Sequence, residues 1–277
     1  AVHGHWSCDA GRYASPAIAA PERLKAPCLK RGASHQDASW IDALREAAGA
    51  LKQILARHGP QGVALLVSPQ MSNEELFLVR GMFREQLRIG NIGGIVPPDP
   101  GAYADDFLIT SDKNPNRRGL AALLPGCGDV EPVLRACAEG RIHFLHIFQY
   151  DLTRSFEPAF VREALDRVEC VVFQGSWDQP TAALADILLP SAVYAEKEGT
   201  FTNLQGRVQR FRRAVAPLGE SLPDGEILRG LARELGLDVP EGGAAALLER
   251  IGSGVPAFAG ITWQSVGDGG QLLQTET

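Results

Sequence analysis

The residues best suited to chemistry fall in a few short stretches of this 277-residue chain. Its five cysteines, Cys8, Cys28, Cys127, Cys137 and Cys170, are widely spaced and form no Cys-x-x-Cys. The chain alone therefore spells out neither a zinc site nor a complete iron–sulfur site. An odd, scattered set also argues against a disulfide framework and for a reducing compartment. His143 and His146 stand three apart, which on a strand sends them to opposite faces; core or sheet-surface histidines are expected there rather than co-ligands. His3 and His5 would share a strand face, but at a terminus expected to fray. Glu196-Lys197-Glu198, just ahead of Gly199, reads either as a solvated turn or as acid–base machinery. The second needs burial to shift a carboxylate, so the solvated turn is the expectation. Arg207, Arg210, Arg212 and Arg213 suit a solvated edge with ion pairs, or a contact with an anion or a neighbouring subunit. No Gly-x-Gly-x-x-Gly, Walker loop or serine nucleophile elbow occurs.

The elements that must position these residues have the composition of a folded domain. Hydrophobic residues make up 45% and charged residues 22% of the chain, enough for one large domain or two closely packed ones. A net charge of −6 gives no overall reason to bind nucleic acid or anionic lipid. No apolar run approaches the ~18–20 residues that span a bilayer, and residues 1–13 lack the pattern of a signal peptide.

Periodicity then separates helices from strands. Trp40, Leu44, Ala47, Leu51, Ile54 and Leu55 recur at helical spacing behind a Ser39 cap, and Gly59-Pro60 stops that helix. Val63–Val67 is a continuous apolar run, as expected of a strand buried on both faces. Ser72 and Glu75 form a capping-box pattern ahead of a second helical stripe, Leu76, Val79, Phe83 and Leu87. Asp106–Thr110 reads as a short strand. A helix over 130–138 tolerates Pro132 only in its first turn. Two more strands, Ile142–Phe148 and Cys170–Phe173, alternate with helices around 157–167 and 181–185, and Ile187–Leu189 makes another strand. Asp224 is expected to cap a helix that ends at Gly236. A helix over 244–251 and a loose tail follow. Strands alternating with helices predict an α/β fold: a doubly wound, mainly parallel sheet flanked by helices.

Three stretches together resemble the molybdopterin-oxidoreductase superfamily, most closely the large iron–sulfur subunit of NADH:quinone oxidoreductase, in shortened or fragmentary form. The first is Trp6-Ser7-Cys8-Asp9-Ala10-Gly11-Arg12-Tyr13 with Pro21-Glu22-Arg23-Leu24 and Pro27. The second is Asp106-Phe107-Leu108-Ile109 through Asn114-Pro115-Asn116. The third and most specific runs from Ala185-Asp186-Ile187-Leu188-Leu189-Pro190 through Glu198-Gly199-Thr200-Phe201-Thr202-Asn203 to Gly206-Arg207-Val208-Gln209.

The resemblance implies three regions: residues 1–36 as the end of an N-terminal iron–sulfur module and linker, 37–236 as the molybdopterin-oxidoreductase-like domain, and 237–277 as a C-terminal helix and tail. It implies a scaffold for an iron–sulfur chain running from NADH-derived flavin toward quinone, without molybdenum chemistry of its own. The alternatives are a fragment of a molybdopterin-dependent oxidoreductase of the formate-dehydrogenase type, or a non-redox interaction domain. Cys8 resembles the fourth ligand of a [4Fe–4S] cluster and would serve only with three upstream cysteines. Thr200, Asn203, Gly206 and Arg207 are the candidate remnant of a pterin cradle, or else a lock between lobes, with Arg207 expected at least partly buried. The implied partners are flavoprotein and quinone-module subunits, with no nucleic acid and no direct membrane span. The implied location is cytoplasmic, on the inner face of the cell membrane.

Overall fold

The structure, a computed structural model, describes residues 13, 15–96, 103–105 and 109–274. Strands β1 (Cys28–Arg31) and β2 (Ser34–Asp37) form a hairpin that leads into helix α1 (Trp40–His58), where Ser39 accepts a hydrogen bond from Asp42 N as the expected cap. Then come β3 (Val63–Leu66), α2 (Asn73–Val79), a π-helical continuation (Arg80–Gln86) and β4 (Asn91–Ile95). Next are α3 (Arg117–Leu123), β5 (Gly128–Asp129), α4 (Val130–Ala138), β6 (Phe144–Phe148), α5 (Pro158–Asp166) and β7 (Cys170–Gly175). The remainder is α6 (Pro180–Leu184), β8 (Ile187–Pro190), β9 (Gly199–Thr202), β10 (Arg207–Phe211), α7 (Asp224–Leu235), α8 (Ala244–Gly254), α9 (Trp263–Val266) and β11 (Gln271–Leu272).

Eight strands form one sheet in the order β2-β1-β8-β7-β6-β3-β4-β5. Those from β8 to β5 are all parallel, while the β1–β2 hairpin joins β8 antiparallel at one end. The parallel part starts at β3, steps outward through β4 to β5, then crosses to β6 and steps outward the other way through β7 to β8. This is the doubly wound order, with its reversal between β3 and β6. Alternate residues explain why both faces are buried. Leu65, Phe144, Phe148, Val172, Ile187 and Leu189 pack with α1, α2, α7 and α8, while Leu66, Leu145, Ile147, Val171, Phe173 and Leu188 pack with α4 and α5. Continuous apolar runs are what such strands require.

The last third of the chain forms a second, three-stranded antiparallel sheet, β11-β10-β9. The tail expected to be loose is tied in, with Leu272 opposite Arg207 and Gln271 opposite Val208. Gly236 ends α7 in the left-handed conformation at φ 75°, as its type predicts. Asp224 is not a cap: Pro223 holds that position, and Asp224 is buried inside the first turn. The expected strand Asp106–Thr110 lies partly outside the described residues, and Ile109 and Thr110 are in no strand. No helix among the described residues is long and apolar enough to cross a membrane.

Candidate functional site

In a sheet of this order, ligands lie beyond the carboxyl ends of the strands beside the reversal. Here that edge is built from the Ser68–Met71 turn after β3 and from Gln149, which follows β6 with φ 60°. A non-glycine residue in that region is held there by its surroundings. Gln149 N donates to Gln174 O at 2.8 Å, and its side chain bonds Ser176 and Asp224.

Behind this edge lies a buried polar network. Lys197 Nζ donates to Glu75 Oε1 at 2.6 Å and to Asp224 Oδ2 at 2.7 Å. Asp224 Oδ1 also accepts from Ser191 Oγ at 2.6 Å and Gln174 Nε2 at 2.8 Å, and Gln174 Oε1 lies 3.2 Å from His146 Nε2. The sequence expectation of a solvated turn at Glu196-Lys197-Glu198 is therefore wrong for two of its three residues. Glu196 and Lys197 are buried, and only Glu198 is exposed. Burial alone would push the Lys197 ammonium down, but Asp224 and Glu75 outweigh it and hold its pKa above the usual lysine range. One ammonium does not neutralise two carboxylates, and burial leaves Glu75 above the usual carboxylate range. His146 is pushed down to about 3 by burial and is neutral, with Nδ1 unpartnered.

Two further networks join remote segments. Arg23 forks onto Glu196, with Nη2 to Oε2 at 2.7 Å and Nη1 to Oε1 at 3.3 Å, and its Nε donates to Ser176 O. Glu196 also accepts from Val193 N and Leu218 N. Glu74 accepts from Thr200 N and Thr200 Oγ1, each at 2.8 Å, and burial pushes its carboxyl up to about 7 against the pull of those bonds. Asn73 bonds the hydroxyls of Thr200 and Thr202, and Asn116 Oδ1 accepts from Thr202 N at 2.7 Å. Arg23, Asn116 and the Glu196–Thr202 segment come from the three stretches that carried the resemblance, so described residues of all three are joined by hydrogen bonds.

The candidate cradle residues are placed as follows. Thr200 is buried against Glu74. Asn203 Oδ1 accepts from Gln205 N and Arg207 N, closing the β9–β10 turn, in which Gly206 takes φ 77°. Arg207 is half-buried and donates to the carbonyls of Gly269 and Gly270. Of the arginine cluster, Arg210 pairs with Asp268 and lies over Trp263, while Arg212 and Arg213 are exposed. Cys8, His3 and His5 lie outside the described residues. Cys28, Cys127, Cys137 and Cys170 sit on different elements, and burial pushes the first two thiols up to about 11 and the others up to about 12. None of these is a thiolate at neutral pH.

Sequence reasoning missed Glu74 and Asn73 outright. It read Glu75 only as half of a capping box, which the structure confirms with Ser72. The signal for more was two adjacent acids opening a helix otherwise apolar enough to be buried. Chemically, the Glu75 carboxylate reaches back to Ser72 N at the start of α2, the place where a doubly wound fold commonly seats a phosphate, while Glu74 turns to Thr200 on β9. That helix end is thus capped by the chain's own Ser72 and Glu75.

Comparison with known proteins places this architecture. The molybdopterin oxidoreductase family model matches residues 23–97 and 133–234, more than half of the chain. The alpha subunit of a formate dehydrogenase from Methanococcus maripaludis is 35% identical over 143 residues, covering 50% of this chain and 21% of that protein. The alpha subunit of an NADPH-Fe(3+) oxidoreductase from Geobacter sulfurreducens is 34% identical over 175 residues, covering 62% of this chain and 20% of that protein. The chain thus spans about a fifth of the length of these relatives. Acetylene hydratase from Pelobacter acetylenicus shares the fold, with a TM-score of 0.62 at 12% identity over 94% of this chain and 67% of that one. The chain belongs to the molybdopterin oxidoreductase family.

Proposed function

We propose that this chain is one α/β module of the alpha-type subunit of a molybdopterin-family oxidoreductase of the formate-dehydrogenase kind. The carrying observation is its similarity, at about a third identity, to alpha subunits of formate and NADPH-linked oxidoreductases. Those relatives weigh for this reading over the complex I scaffold, the first expectation from sequence. The module's task is to fix strand ends and the β9–β10 hairpin as a rigid wall for the cofactor-bearing parts of the subunit. The bonds made by Thr200, Asn203 and Arg207 support a locking role for that hairpin rather than a cradle.

The described residues fit the family's pterin dinucleotide poorly. The helix start that would welcome a phosphate is capped by Ser72 and Glu75, with the Glu74 carboxylate beside it bound to Thr200. A [4Fe–4S] cluster at Cys8 would need three thiolates from outside this chain. Electron-carrying subunits of the same complex are the proposed partners, and any attachment to a membrane would come through them.

Formate-dependent reduction of a viologen dye by the full-length protein with its partner subunits tests this reading. Activity is expected. NADH:quinone turnover without formate activity would restore the complex I reading.

A further inference from the structure

The amino ends of the central strands carry a cluster that none of the above uses. His58 ends α1, His143 precedes β6, and Glu169 precedes β7, so three elements bring one side chain each to the amino end of the sheet. Glu169 Oε1 lies 2.9 Å from His143 Nδ1 and 3.6 Å from His58 Nε2. All three donor atoms fall within 4.8 Å of one another. Ligands about 2.1 Å from a tetrahedral zinc ion stand roughly 3.4 Å apart, a spacing these two distances bracket. The two imidazoles stack with centroids 3.6 Å and planes 18° apart, so one ring must turn out of the stack for both nitrogens to face a shared ion.

The surroundings orient this set. Arg57 Nη2 donates to Glu169 Oε2 at 2.6 Å, which leaves Oε1 turned toward the histidines and holds the carboxyl below its usual range. Such a partner on the far oxygen is what fixes a carboxylate ligand. His143 N donates to Gly62 O at 2.7 Å, and its own carbonyl accepts from Cys170 N. Gly62 is needed for the approach, since a Cβ there would lie 2.6 Å from His58 Cβ and 3.4 Å from His143 Cδ2. The side chains of His58, His143 and Glu169 are 32%, 24% and 40% exposed, so water has access to complete a coordination shell.

We propose that His58, His143 and Glu169 bind a divalent transition-metal ion of the zinc class, through His58 Nε2, His143 Nδ1 and Glu169 Oε1. Two imidazoles and one carboxylate select zinc, cobalt or nickel over magnesium and calcium, which prefer all-oxygen shells. The ion staples the end of α1 to the amino ends of β6 and β7, opposite the carboxyl-end crevice beside the reversal. The proposal is independent of the formate-dehydrogenase reading.

Titration of the metal-free 277-residue chain with zinc chloride tests it. Binding of about one ion per chain with Kd on the order of 1 μM is expected, together with a rise in melting temperature. His58→Ala and Glu169→Gln should each weaken binding at least tenfold and remove the zinc-dependent rise. The near-isosteric Glu169→Gln, checked by its metal-free melting, guards against loss through unfolding. A variant carrying both His3→Ala and His5→Ala should bind as the unchanged chain does. Absence of zinc binding at about 100 μM would overturn the proposal. So would Glu169→Gln and His58→Ala chains that bind like the original, or loss of binding in the His3/His5 variant.

Discussion

Replacing Lys197 with methionine keeps the volume of the side chain and removes its charge, leaving Glu75 and Asp224 buried without their cation. Stranding one side of a buried pair costs about 3–5 kcal/mol. Lys197→Met should lose that much stability in urea unfolding, while Glu198→Ala, one residue on and exposed, should stay within about 0.5 kcal/mol. Glu74 gives a pH test with a definite sign. Its folded pKa, pushed up to about 7 from an ordinary 4.5, means that the folded chain holds the proton more tightly than the unfolded chain. Its contribution is therefore fully present below pH 4.5 and is lost as pH rises through 7. The loss is at most about 3 kcal/mol. Glu74→Gln should flatten the fall in stability between pH 5 and 8, and parallel pH profiles for the two proteins would refute this. The charged pair at Glu196-Lys197 was not legible as buried because its partners come from elsewhere. Glu75 lies 122 residues away, Asp224 lies 27 away and Arg23 lies 173 away. Charge type alone points such residues to water.

At the scale of elements, the β9–β10 hairpin is held to the C-terminal strand by Arg207. Its acceptors are two backbone carbonyls rather than a carboxylate, so the bond is of the moderate kind. Arg207→Ala should cost about 1–2 kcal/mol and speed proteolysis near residues 267–274, whereas Arg213→Ala should do neither. Equal protease sensitivity would contradict the lock. The parallel strands β3, β6, β7 and β8 were legible as continuous apolar runs because a strand covered on both faces has no polar side to alternate with, whereas β4, in a Gly- and Pro-rich stretch that reads as loop, and the two-residue β5 were not. The β1–β2 hairpin and β11 were not legible. Cys28-Leu29-Lys30-Arg31 and Ser34-His35-Gln36-Asp37 are polar edge segments, and Gln271–Leu272 is too short for any period. Their strand character comes from pairing with β8 and β10.

For the whole molecule, the doubly wound order follows from strands alternating with helices, and the sequence already pointed to it. The antiparallel additions and the meeting of the three resembling stretches needed the fold, because bonds such as Asn116 to Thr202 join segments 86 residues apart. The same view sets the central claim: the module walls a cofactor-bearing subunit and seats no pterin phosphate at α2, where Glu74 and Glu75 stand. Molybdenum, tungsten and pterin should be measured side by side in the 277-residue chain and in the full-length subunit purified with its partners. The account predicts about one molybdenum or tungsten with its pterin in the full-length subunit, and neither in the short chain. A stoichiometric metal–pterin load on the short chain, or a full-length subunit without pterin, would contradict it.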